Sequence, residues 1–82
     1  MAKVTGADLA PQHVKAARAL LDWSAKDLAA HASVGISTVK VFESGNSVRE
    51  SSKQAMIDAL DKAGVELLNG GRMGARLMKV KG

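Results

Sequence analysis

Eighty-two residues make a single domain with no room for a second, and a chain this short buries only about 60% of its unfolded surface, close to the lower limit for folding alone. The absence of cysteine excludes a disulfide framework and any thiolate metal site, and fits a reducing, cytoplasmic setting. A net charge of +4 and a pI near 9.8 favour an anionic partner, although many mildly basic proteins bind nothing acidic.

Residues 1–10 show no sustained period and contain Gly6, which reads as a flexible arm; its opening, MAKVTGADLA, lacks a signal-peptide core. Lys3 is the only basic side chain there, a poor basis for a groove-reading arm. Pro11 suits the first turn of a helix, where its missing N–H is no loss. The following PQHVKAARALLD is rich in strong helix formers. Val14, Ala17 and Leu21 form its apolar stripe, extended by Leu20. Trp23 closes the corner before the next helix and is placed to staple it by packing on Leu28.

Ser24 then reads as an N-cap with Asp27 as its capping-box partner. Leu28, Ala29 and Ala32 fall on one helical face. Ser33-Val34-Gly35 interrupts that pattern. A second short helix runs over residues 36–44, with Val39 and Phe42 inward and Gly45 as its stop. Two helices joined by so short a turn cannot lie parallel, and at Ala29 a side chain larger than methyl would hold them apart. Residues 24–45 therefore have the physical pattern of a helix-turn-helix.

After the polar NSVRES, a fourth helix is expected from about Ser51, where Ser51-x-x-Gln54 is a capping-box pattern. Met56, Ile57 and Leu60 form its inner face, Ala63 its end, and Gly64 its left-handed terminator. In residues 65–82, VELL and ARLMKV are β-prone runs separated by the turn cluster NGGRMG, which predicts a small β-hairpin. Leu67, Leu68, Leu77 and Met78 call for burial. The alternative is a frayed basic tail, since Arg72, Arg76, Lys79 and Lys81 face only Glu66 in charge. An isolated hairpin is marginal in water, so it must pack on something or pair with a second copy across a two-fold axis.

Trp23-Ser24, Asp27-Leu28-Ala29, Val34, Ser37-Thr38-Val39 and Phe42-Glu43-x-Gly45 resemble the Cro/CI-type (xenobiotic-response-element) helix-turn-helix regulators, over about residues 11–64. The resemblance implies a mainly α, four-helix, lambda-repressor-like DNA-binding domain, here followed by the short C-terminal β-hairpin. Two positions depart from the family. Ala25 stands where a phosphate-touching glutamine is usual, and Ser33 where glycine is usual. The family position needs a positive φ, so serine there costs of order 1 kcal/mol or is relieved by a slightly different turn.

In a helix-turn-helix the second helix enters the major groove with its N-terminal residues against base edges. With Val39 and Phe42 inward, the outward set is Gly35, Ile36, Ser37, Thr38, Lys40 and Val41. Lys40 suits guanine O6 and N7 or a phosphate, Ser37 and Thr38 suit bases or phosphates, and Ile36 and Val41 suit thymine methyls. Helix N-termini at Gly35 and Ser24 favour phosphate, and Lys26 is the cation on the latter turn. The resemblance adds Asn46 and Arg49 as backbone contacts, and Arg18–Glu43 as an ion pair tying the first helix to the reading helix.

These readings converge on a cytoplasmic, sequence-specific transcriptional regulator that binds double-stranded DNA, as a homodimer on an inverted repeat. The rival is a protein-interaction module, antiactivator or antitoxin-like, using the same scaffold against another protein; Ala25 and the apolar Ile36 and Val41 favour it. No enzyme is expected. His13 and His31 sit on different helices, without acids at ligand spacing, and read as solvated positions. No nucleophile triad, P-loop or dinucleotide fingerprint is present. No cofactor, metal or membrane partner is implied, and no apolar run approaches membrane-spanning length.

Overall fold

The computed structural model describes residues 8–68 and 74–77, with the second of these ranges and Leu68 described for the backbone alone. Four helices come first: α1 (Pro11–Leu21), α2 (Ala25–Ala32), α3 (Ile36–Glu43) and α4 (Glu50–Lys62). Two antiparallel strands follow, β1 (Val65–Leu68) and β2 (Gly74–Leu77), in the register Val65↔Leu77, Glu66↔Arg76, Leu67↔Ala75 and Leu68↔Gly74. The domain is thus mainly helical. The expected arm before Asp8, the NGGRMG turn as far as Met73, and the basic tail from Met78 lie outside the described residues.

All four helices run into a left-handed residue: Asp22 (φ 56°), Ser33 (φ 57°), Gly45 (φ 97°) and, as expected, Gly64 (φ 93°) after α4. At each of the first three ends two N–H groups reach back to carbonyls that the helix would otherwise leave orphaned. Trp23 N–H donates to Arg18 O, Val34 N–H to Ala29 O, and Asn46 N–H to Val41 O, the Schellman pattern. Only the last two of the four stops use glycine. The positive φ expected at Ser33 is present, and a second non-glycine left-handed residue, Asp22, accompanies it.

At the start of α2 the capping box is complete. Ser24 Oγ accepts from Asp27 N–H at 3.0 Å, and Ser24 N–H donates to the Asp27 carboxylate at 2.9 Å. The box expected at Ser51–Gln54 does not form. α4 begins one residue earlier, at Glu50, with Arg49 as an N-cap that supplies no side-chain bond. Glu50 takes the first-turn position that favours an acid and pairs with Lys53 at 2.8 Å. Gln54 instead donates to Asp58 one turn on.

The core is built from one face of each helix and from β1. Val14 and Ala17 of α1, Leu28 and Ala29 of α2, Val39 and Phe42 of α3, and Met56, Ile57 and Leu60 of α4 are buried, with Val65 and Leu67 beneath them. α2 packs on both α3 and α4, while α1 packs on α3 and on the two strands. In β1 the alternation Val65-in, Glu66-out, Leu67-in is the period-2 pattern of a half-covered strand. The strands rest on α1 and α4, which answers the need of a small hairpin for support.

Two expectations are corrected here. His13 is fully buried, not solvated: its Nδ1 accepts from Ala10 N–H at 2.9 Å, the reach-back that a capping box assigns to the third helical residue. Leu20 is 41% exposed and does not extend the α1 stripe, because helical pitch swings it away from the Val14–Ala17–Leu21 line.

Candidate functional site

α3 is anchored on its inner side and at its end. Val39 and Phe42 bury, and Ala29 across the turn is also buried, its methyl leaving room for the close approach of α2 and α3. At the last turn Arg18 grips Glu43 through two parallel bonds. Nε donates to Oε2 at 2.7 Å and Nη2 donates to Oε1 at 2.8 Å. This fork geometry gives arginine both strength and orientation. The hydrogen bond to Glu43 raises the Arg18 pKa above its usual value, against the opposing effect of burial.

Arg18 does more than bridge two helices. Its Nη1 donates to Trp23 O at 3.0 Å, while its own carbonyl accepts from Trp23 N–H at 2.9 Å. The residue that fixes the end of α3 thereby also fixes the corner leading into α2. The two side chains are 23% and 11% exposed, so the pair is substantially desolvated, and removal of either partner strands the other.

The outer side of α3 is open. Ile36 and Val41 are each 41% exposed; Ser37 and Lys40 are exposed and Thr38 is half-buried. Lys40 has no carboxylate partner among the described residues. The N-cap of α3 is Gly35, which offers no side-chain acceptor, and the first turn contains no acid. Thr38 N–H turns back to Gly35 O at 3.0 Å, while the N–H groups before it receive no side-chain cap.

Beside this end lies an open depression of about 390 Å3, shared by Gly35 and Thr38 of α3 with Arg49, Ser51 and Ser52 at the start of α4. Arg49 is thus brought to the same concavity as Gly35 and Thr38. Asn46 is exposed, but its amide is engaged in the α3 terminus, where Nδ2 donates to Ser44 Oγ. Ser24 is exposed, with its Oγ lone pair spent on Asp27 N–H. Lys26 is exposed on the first turn of α2 and does not line the depression.

Sequence reasoning missed the Arg18–Trp23 bonds and the stacking of Trp23 on His31, whose rings lie 4.1 Å apart at 6°. Trp23 is half-buried and packs on the core as expected, and His31 is exposed as expected. Their eight-residue separation spans a helix start and gave no periodic signal. Among the described residues no group of His, Asp and Glu could hold a metal ion, and no helix is long and apolar enough to cross a membrane. No family model matches the chain, and no curated protein or solved structure matches it.

Proposed function

We propose that the protein is a sequence-specific DNA-binding transcriptional regulator of the helix-turn-helix class, with a lambda-repressor-like arrangement of α1–α4 and α3 as the reading helix. One observation carries this reading. α3 is held from behind by Val39, Phe42 and the Arg18–Glu43 fork, while its outer face of Ile36, Ser37, Lys40 and Val41 is left to solvent. A rigidly held helix with a free polar-and-methyl face is what groove reading needs, since base contacts depend on a fixed register. Gly35, Thr38 and Arg49 would face the phosphate backbone next to it. A single reading helix covers few base pairs, so useful affinity calls for a symmetric dimer on two half-sites about one helical turn apart.

The test is binding to DNA from upstream of the protein's own gene, against a scrambled duplex, across a salt series. The proposal expects preference for the native duplex and affinity that falls steeply as salt rises. Absence of binding to any duplex at low salt would remove it.

A second reading is favoured by the exposure of Ile36 and Val41 on the same face. Apolar side chains left in solvent on a rigid helix suit a protein groove as well as a thymine methyl. In that reading the domain sequesters another regulator. Lys40→Ala separates the two, because it weakens a DNA complex and leaves an apolar protein contact largely intact.

A further inference from the structure

Around the axis of α3 the exposed side chains follow the order Ile36, Lys40, Ser37, Val41, across an arc of about 140° at about 100° per residue. Two apolar groups thus flank a polar strip. The inner side of the helix is taken by Val39 and Phe42, which are buried, and by Glu43, which is held by Arg18. We propose that Ile36 and Val41 set the base specificity of the protein by reading the C5-methyl groups of thymine. This inference rests on α3 being the reading helix, and it names what that helix selects.

The polar side chains leave little else to discriminate with. Hydrogen-bond readout is strongest where a forked side chain engages two edge atoms of a purine, arginine on guanine or asparagine and glutamine on adenine. α3, with the sequence ISTVKVFE, contains none of these. The Ser37 hydroxyl both donates and accepts, and so selects weakly. Lys40 brings one charged head, which suits guanine or a phosphate and covers one base pair at most.

What remains is apolar contact, and the apolar group that an ordinary base pair shows in the major groove is the thymine methyl. Ile36 and Val41 meet it with branched methyls and no polar atom to leave unpaired. They stand about 7.5 Å apart along the helix axis and about 140° apart around it, too far to share one methyl. Each half-site should therefore carry two separate thymine contacts. Charge agrees with this occupant. The outer face carries Lys40 and no free acid, since Glu43 is spent on Arg18 in two bonds, and the chain is +4 overall. A polyanion with methyl groups in its groove meets both the charge and the apolar flanks.

Deoxyuridine tests this directly, because it keeps every hydrogen-bonding group of thymidine and deletes only the methyl. The full chain selects a duplex from a random library, and each thymidine of that duplex is then replaced in turn. Two positions per half-site should respond, each with binding about three- to fourfold weaker, the worth of one buried methyl. Ile36→Ala should remove the response at one of them and Val41→Ala at the other, each leaving its neighbour's intact. Both positions are exposed and alanine is the better helix former, so the urea midpoints should match wild type. If every deoxyuridine duplex binds as well as its parent, or the response survives both alanine variants, the inference is overturned while α3 remains a reading helix. Failure to select any duplex would overturn the inference together with the proposed function.

Discussion

α2 and α3 are both eight residues long, adjacent in sequence and packed on one another, yet they are stabilised in different ways. α2 closes its own N-terminus. Ser24 and Asp27 exchange two hydrogen bonds there, and the Asp27 carboxylate sits in the first turn. α3 begins at Gly35 without a side-chain cap and without an acid, and is held by Val39, Phe42 and the Arg18–Glu43 fork. Helices this short are unstable alone, so each must borrow stability; α2 takes part of it locally and α3 takes nearly all from tertiary contacts. The two N-termini differ accordingly: Asp27 N–H goes to the Ser24 side chain, whereas Thr38 N–H turns back to Gly35 O and the N–H groups before it receive no side-chain cap.

The largest effect should follow from cutting the tertiary hold on α3. Glu43→Ala leaves Arg18 partly buried and unpaired, and should cost about 2 kcal/mol, below the 3–5 kcal/mol of a fully buried pair. The check is a lowered urea midpoint. An unchanged midpoint would mean that α3 is held by apolar packing alone.

The local hold on α2 should be worth less. Ser24→Ala removes a cap and should lower stability by about 1 kcal/mol. Its partner adds an acid dependence. The Asp27 pKa is lowered, first by the hydrogen bond from Ser24 N–H and then by its side-chain bond to Ser24. A carboxylate depressed in the folded state adds stability above its unfolded pKa, which is lost as pH falls through its folded value. The gap in urea midpoint between wild type and Asp27→Asn should therefore be widest at neutral pH and close in acid.

Smaller effects bear on the turns and caps. Ser33→Gly relieves a left-handed serine and should raise stability by about 0.5–1 kcal/mol, measured again by urea. Gly35→Asp has room, because the nearest atoms to an added Cβ are Ser37 Oγ at 3.7 Å and Thr38 Oγ1 at 3.9 Å, and the backbone there is extended. It would give α3 the cap that α2 has and raise stability by a few tenths of a kcal/mol. The same carboxylate would stand where the proposed phosphate approaches, so DNA affinity should fall while stability rises.

The contrast between the two helices also marks what could be read from the chain. The α2 capping box and the buried faces of α2 and α3 were legible because capping and 3.6-residue periodicity are local rules. The strand pair was legible from β-prone runs around a turn cluster. The Arg18–Glu43 pair, 25 residues apart, came only through the family resemblance. Asp22 in the left-handed region had no glycine to announce it. His13 looked solvated because histidine is ambivalent, and its role as a cap depends on Ala10 N–H. The start of α4 was misplaced because two overlapping signals, Glu50 with Lys53 and Ser51 with Gln54, compete within one turn. The outward set on α3 followed by subtraction from Val39 and Phe42, and it holds, with Thr38 half-buried at its edge.

The most direct test of the outer face of α3 as the reading surface is Lys40→Ala, with a duplex selected from a random library by the wild-type protein. Lys40 is exposed and unpaired among the described residues, so the urea midpoint should stay within about 0.5 kcal/mol of wild type. Affinity for the selected duplex should fall about tenfold, the lower part of the 1–3 kcal/mol assigned to a good base contact. Unchanged affinity with unchanged folding would contradict the account and move the interface off α3.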